Sequence, residues 1–263
     1  MMHSELKLYN GRLVKYSHPE RLHLPRYIAA HGLKNYEPVS QGFFIAAAEI
    51  RKGCIYDIGS NIGVYSLAVA SILRVPVYAF EPYAEAASVL KGIAADYDLP
   101  VYVKNCAVSD FKGKIEFYIS KKSDMSNSLN PNFRSHREVR TVEVLTVDSL
   151  SEITCPGAIK IDVETEELKV LQGARITIQR DRPIILMEVL TAELEVSISN
   201  FMSEYHYITL KMGDPDIHAE LGNVADLDTS GDSRNWLMLP IEVSDNPYLM
   251  NRARHYIEII RNN

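Results

Sequence analysis

The sequence predicts a doubly wound α/β fold: a mostly parallel sheet with an antiparallel edge and helices on both faces. Three observations predict it. Residues 55–58 read as a short buried strand that ends in a turn of Gly59, Ser60, Asn61 and Gly63. Val64, Leu67, Ala68 and Ile72 then recur at helical spacing, so a helix follows the turn. A second apolar run, 77–80, ends on an acid, Glu81, twenty-four positions after Asp57. Strand, glycine-rich turn, helix, strand and acid is the order of the nucleotide-binding half of such folds.

The other elements follow in chain order. Residues 6–16 suit a short hairpin around Asn10-Gly11. Residues 21–31 are basic, His-rich and partly helical. His18, His23 and His31 are too unevenly spaced for a metal site and are read as surface or lid residues. The apolar stretch 43–50 predicts a helix under the first strand of the sheet. A helix over 84–97 follows Glu81, and a strand over 101–107 follows that. Ile115, Phe117 and Ile119 alternate, which predicts a strand over 114–120. Residues 121–137 are polar and irregular, and a stretch this long inside a compact domain is usually functional or mobile. A β-branched strand over 141–147 comes next, with Asp148 as a turn or cap residue. The run 158–163 reads as a buried strand, and Thr165 as the cap of a helix over 165–178. Strands are expected over 183–190, 207–211 and 236–239, with a helix over 195–204 and a loop over 212–234. An amphipathic helix over 251–261 covers the sheet or joins a homodimer.

With 263 residues, one large domain is expected. Residues 1–50 form an N-terminal cap segment, 51–240 the cofactor-binding core and 241–263 the C-terminal helix. The net charge of −6 argues against a duplex nucleic-acid partner, which needs a basic face. No apolar run approaches the length needed to span a bilayer, so no membrane partner is expected. Cys54, Cys106 and Cys155 form no C-x-x-C pair, which suggests reduced thiols and a cytoplasmic location.

The charges of the turn bear on its ligand. A dinucleotide site needs G-x-G-x-x-G with pyrophosphate on the helix N-terminus. Here the pattern is D-x-G-x-N-x-G, and a carboxylate at Asp57 repels pyrophosphate. It attracts a cationic head such as the ammonium or sulfonium of S-adenosyl-L-methionine (SAM). Glu81 stands where a ribose-binding acid belongs.

At this point the sequence resembles the FkbM-type SAM-dependent methyltransferases. The resemblance rests on D-I-G-S-N-I-G-V-Y-S from Asp57, Y-A-F-E-P at 78–82, A-V-S-D at 107–110 and K-I-D-V-E at 160–164. Y-E-P at 36–38 and N-W-L-M-L-P at 235–240 extend it over most of the chain. It implies that Glu37 starts a helix near the cofactor pocket and that Pro82 follows the ribose acid. It implies that Ala107 and Asp110 border the adenine ring. Ser126, Asn127 and Ser128 then match the family's serine-rich loop over the active site. The family usually has glycine where this chain has Thr165.

Methyl transfer from a sulfonium is an in-line displacement, and an alcohol acceptor must also lose a proton. Asp162, Glu164 and Glu188 sit at strand ends and are the candidate catalytic acids. For Glu188 the structural alternative is a buried ion pair with a residue such as Arg182 or Lys160. No His-Cys cluster supports zinc, and an all-oxygen Mg²⁺ site is compatible with these acids but not demanded by them. The leading expectation is O-methylation of a hydroxyl on a sugar, polyketide or similar small molecule. A nicotinamide-dependent oxidoreductase or epimerase and a non-catalytic SAM-binding scaffold are the alternatives.

Overall fold

The computed structural model describes residues 1–150, 155–221, 227–244 and 247–263. The chain opens with an antiparallel hairpin of β1 (Met2–Lys7) and β2 (Leu13–His18), then α1 (His23–His31) and α2 (Pro38–Ile50). The predicted nucleotide unit follows as β3 (Cys54–Ile58), α3 (Val64–Leu73), β4 (Val77–Phe80), α4 (Ala84–Asp96) and β5 (Val101–Lys104). Short β6 (Ala107–Val108), β7 (Gly113–Ser120) and β8 (His136–Leu145) come next. Then β9 (Pro156–Ile161), α5 (Glu167–Gln172), α6 (Arg175–Asp181), β10 (Ile184–Glu188), α7 (Ala192–Glu204) and β11 (Tyr207–Lys211) continue the winding. The chain finishes with α8 (Pro215–Leu221), β12 (Asn235–Pro240), α9 (Ile241–Ser244) and α10 (Pro247–Arg261).

The main sheet has seven strands in the order β11-β12-β10-β9-β3-β4-β5. From β5 to β10 the pairings are parallel, while β12 runs antiparallel to both β10 and β11. The reversed strand is thus second from the edge rather than at it. The winding changes direction between β3 and β9, so ligands are expected outside the carboxyl ends of these strands. Register places Asp57 beside Lys160 on one side and Ala79 on the other.

The core lies on both faces. On one, α2, α3 and α4 bury Phe43, Phe44, Val69 and Leu90. On the other, α5, α6 and α7 bury Leu171, Ile178 and Ile198. Each such side chain contributes about 1.5–3 kcal/mol when fully buried. Helix α10 packs along α2 through Ala253 and Ile257, so it lies on the helix layer rather than directly on the sheet.

Several expectations need correction. The strand expected over 101–107 divides in two, because β6 leaves the main sheet and pairs with β8 in a three-stranded sheet, β6-β8-β7. The polar stretch 121–137 holds a 3₁₀ turn, Asp124–Ser126, and ends inside β8. The helix expected over 165–178 breaks into α5 and α6. Asp148 causes the break by accepting hydrogen bonds from the backbone N–H of Ile176 and Thr177 and from the Thr177 hydroxyl. Gly173 fits the break because a Cβ there would lie 2.1 Å from the Ser109 carbonyl oxygen. Residues 212–234 include the helix α8. His18 is buried, hydrogen-bonded to the Ser4 hydroxyl and the Pro19 carbonyl, and is no surface residue.

The start of α2 is completed from far along the chain. Its flanking residue, Glu37, is left-handed (φ 49) and makes no capping hydrogen bond. Asp232 supplies the cap instead: it accepts from the backbone N–H of Val39 and Ser40 and from the Ser40 hydroxyl.

Candidate active site

A cavity of about 530 Å³ opens at the carboxyl ends of β4, β3, β9 and β10. That volume falls within the roughly 300–1,000 Å³ of small-molecule pockets. Its floor is the turn after β3. Gly59 there is left-handed (φ 79), and a Cβ on it would lie 1.7 Å from the Asp162 carbonyl oxygen. Only glycine lets the turn after β3 press so closely on the turn after β9.

Two acids define one end of the cavity. Asp57 is buried, and its Oδ2 accepts from the Ser66 backbone N–H (3.1 Å) and hydroxyl (2.6 Å). Burial pushes its carboxyl up to about 6 despite these bonds. Glu81 is held by the backbone N–H of Asn61 (2.8 Å) and of Tyr83 (2.7 Å), and burial pushes it up to about 7. Both carboxylates keep lone pairs for a ligand. Nearby, the buried Ser60 Oγ has no partner.

Three further acids define the other end. Carboxylate oxygens of Asp162, Glu164 and Glu188 lie within 4.8 Å of one another. Burial, with Asp162 next in weight, raises Glu164 to about 9 and raises Glu188 as well. Two cations answer them. Lys160 Nζ is 3.5 Å from Asp162, and Arg234 Nη2 is 3.1 Å from Glu188. Lys160 is almost fully buried. Burial alone would lower it, but Asp162, Glu37, Glu188 and Asp57 outweigh that and hold it above its usual range.

Glu164 sits on an unusual turn. Both Glu164 (φ 57) and Thr165 (φ 82) are left-handed, which explains why glycine suits the Thr165 position. Thr165 does not cap a helix. Glu167 Oε1 holds the turn from below, accepting from the backbone N–H of Val163 and Thr165. From above, the Ser128 hydroxyl donates to the Glu164 carbonyl (2.6 Å) and Asn130 Nδ2 to Thr165 Oγ1 (3.0 Å).

Of the residues singled out in the sequence, Asp57, Gly59, Ser60, Asn61, Glu81 and Pro82 line the cavity. So do Ala107, the loop residues Ser126, Asn127 and Ser128, and the acids Asp162, Glu164 and Glu188. Three do not. Gly63 lies behind the turn, at the start of α3 and against Leu90. Glu37 is buried behind the wall, where it accepts from the Tyr65 hydroxyl at 2.7 Å. Asp110 is exposed, because pairing of the Ser109 N–H with Leu145 O turns it outward. His23 and His31 are both exposed, and His23 also lines the cavity. Glu188 pairs with Arg234, not with Arg182 or Lys160.

Spacing arguments pass over Lys160, Arg234, Tyr36 and Asp124, all on the cavity wall. The signals were present for three of them: Lys160 opens K-I-D-V-E, Tyr36 opens Y-E-P, and Arg234 precedes N-W-L-M-L-P.

A seven-stranded sheet with its reversed strand second from the edge, and acids at the carboxyl ends of adjacent parallel strands, is the class I, Rossmann-like methyltransferase fold. The model of the FkbM methyltransferase domain matches residues 57–216. The chain belongs to that family, and the methyl donor this membership implies is SAM. No curated protein matches the sequence. The crystal structure of the FkbM methyltransferase from Methylobacillus flagellatus KT is similar with a TM-score of 0.50 and 16% identity. That match covers 71% of this chain and 43% of the other, so the chain spans less than half of that protein's length. M. jannaschii TYW2 in complex with AdoMet aligns at a TM-score of 0.45 and 13% identity, covering 90% of this chain and 83% of the other. The precorrin-6y C5,15-methyltransferase of Geobacter metallireducens GS-15 aligns at 0.44 and 9%, covering 74% and 78%. At these identities the likeness is one of fold. Among the described residues no helix is long and apolar enough to cross a membrane.

Proposed function

We propose that the protein is a SAM-dependent O-methyltransferase acting on a hydroxyl of a sugar, polyketide or similar small molecule. The observation that carries this reading is the carboxylate trio Asp162, Glu164 and Glu188 at one end of a cavity whose other end holds Asp57 and Glu81. The donor's ribose hydroxyls suit Glu81, and its cationic groups suit Asp57. Bound this way, SAM would supply its methyl group to an acceptor held between these two acids and the trio.

In the transfer the methyl C–S bond breaks as the acceptor's O–C bond forms. Sulfur keeps the electron pair and becomes neutral. The hydroxyl proton passes to a carboxylate of the trio. Ordinary carboxylates are weak bases toward an alcohol, but proton affinity closer to the working pH improves them. Burial and mutual repulsion provide that here, since Glu164 and Glu188 are both pushed up. One carboxylate of the trio takes the proton. Lys160 and Arg234 stand in the same cluster and offset its negative charge. That donor set suits a proton acceptor without a divalent cation, so EDTA should leave activity unchanged.

Calorimetry with SAM, S-adenosylhomocysteine and NAD tests the donor. Binding of the first two and not the third is expected, and equal binding of NAD would favour the oxidoreductase. An acceptor screen followed by Asp162→Asn tests the chemistry. Turnover should fall about 10²-fold or more, the usual size of a general-base effect, with SAM affinity within about threefold. A lower melting temperature with an intact rate per folded molecule would make Asp162 structural instead.

A further inference from the structure

The small sheet and loop beside the cavity are basic in an acidic chain. Residues 112–140 hold seven Lys and Arg against three Asp and Glu, while the whole chain carries −6. Several of these cations have acid partners: Lys114 pairs with Glu143, and Arg140 with Glu85 and Glu138. Lys122 and Arg134 do not. Both line the cavity and both are exposed. Among the described residues neither side chain has an ion pair or a hydrogen-bond partner, and the Arg134 guanidinium only lies over the Phe133 ring, 4.8 Å from its centroid.

The backbone sets these two residues on facing strand ends. The ladder of β7 and β8 runs one bond past its last pair, from the Lys121 N–H to the Ser135 carbonyl at 3.0 Å. Lys122 and Arg134 are the next residue of each strand. Like charges at facing positions repel. Arg134 also stands toward the acceptor end, near enough to Glu164 to act against the burial of that carboxyl. The deeper cations are already engaged, Lys160 with Asp162 and Arg234 with Glu188. An anion entering the cavity is therefore attracted at its mouth and repelled by the acids further in.

We propose that Lys122 and Arg134 hold a phosphate carried by the methyl acceptor, so that the substrate is a hydroxyl compound bearing a phosphomonoester. The inference rests on the O-methyltransferase reading above and narrows its substrate class. Arginine offers a fork of N–H donors that matches phosphate oxygens, and lysine a compact charge. A phosphomonoester carries about −2 charges at neutral pH and so balances both. Because the acid trio repels the phosphate, the hydroxyl that is methylated lies at the end of the acceptor away from it.

Calorimetry tests this, with inorganic phosphate titrated at low salt into protein saturated with S-adenosylhomocysteine. Wild type should bind phosphate saturably. The double variant Lys122→Ala, Arg134→Ala should bind it about ten-fold or more weakly, the scale of one charge-assisted hydrogen bond, and keep its S-adenosylhomocysteine affinity within about threefold. The double variant Lys112→Ala, Lys114→Ala removes the same charge away from the cavity and should leave phosphate affinity unchanged. The exchange Lys122→Arg, Arg134→Lys keeps both charges and should retain the binding. Absence of saturable phosphate binding by wild type overturns the proposal, as does equal weakening by the two alanine pairs. A parallel loss of S-adenosylhomocysteine binding in the first pair overturns it too, because the two cations would then hold the donor's own carboxylate. If wild type does not bind S-adenosylhomocysteine at all, the donor reading falls separately, and the same titration of the free protein still decides whether the anion site exists.

Discussion

Asp57→Asn should stabilise the empty protein while weakening its hold on the donor. The side chain is buried, and its Oδ2 takes both Ser66 bonds. An asparagine carbonyl can accept the same two bonds, so the substitution removes the charge and little else. The carboxyl titrates at about 6 in the fold against an ordinary 3.8. At 1.36 kcal/mol per pH unit, keeping it ionised costs the fold about 3 kcal/mol. The sign follows from the direction of the shift. The folded state binds the proton more tightly than the open chain does, so the penalty is absent below pH 4, grows between pH 4 and 6, and is complete above. Urea denaturation at pH 4 and pH 8 measures it. The variant should match wild type at pH 4 and exceed it at pH 8 by about 1–3 kcal/mol. Calorimetry should show SAM binding weakened by about ten-fold or more, from loss of a charged partner worth ~1.5–3 kcal/mol. A variant that is less stable than wild type at pH 8, or a gap that does not widen with pH, would refute the reasoning.

Other outcomes follow from the same geometry. Gly59→Ala drives a Cβ onto the Asp162 carbonyl and demands a left-handed alanine, so urea denaturation should show a loss of at least about 3 kcal/mol. Lys160→Met strips the buried cation from Asp162, Asp57, Glu37 and Glu188. It should lose about 3–5 kcal/mol at pH 8, and less near pH 5, where Asp57, Glu37 and Glu188, all raised by burial, take up protons. At position 165 melting temperatures should fall in the order Gly, Thr, Ala. Glycine relieves a left-handed residue, a strain of about 1–3 kcal/mol, whereas alanine keeps the strain and loses the Asn130 bond, worth about 1 kcal/mol.

The donor end of the site is legible because its signals are local. Gly59 and Gly63 mark a turn by spacing, and Asp57 and Glu81 mark the ends of two adjacent strands. The acceptor end is legible only in part. Asp162 and Glu164 follow a recognisable strand, but the left-handed pair at 164 and 165 reads as the start of a helix. Glu188 is visible, yet its partner Arg234 lies forty-six positions on and nothing local announces it. Asp110 fails for the opposite reason. Its motif suggests a pocket residue, but the pairing of β6 with β8 turns the peptide after Ser109 outward. The break at Gly173 depends on Asp148, a contact between elements that no single-stretch pattern contains.

The cap that Asp232 lends to α2 has a consequence for how the protein is made. The first turn of that helix leaves the ribosome nearly two hundred residues before the carboxylate that completes it. Until the stretch around Asp232 emerges, the N–H groups of Val39 and Ser40 lack their final partner. Contacts of such long sequence separation form late. The Rossmann-like strands β3, β4 and β9 can pair while synthesis continues, but the wall formed by Tyr36 and Arg234 closes only near the end of translation. A nascent chain stopped before residue 232 would hold most of the sheet without a finished pocket, so competence for chemistry arrives as one of the last events of assembly.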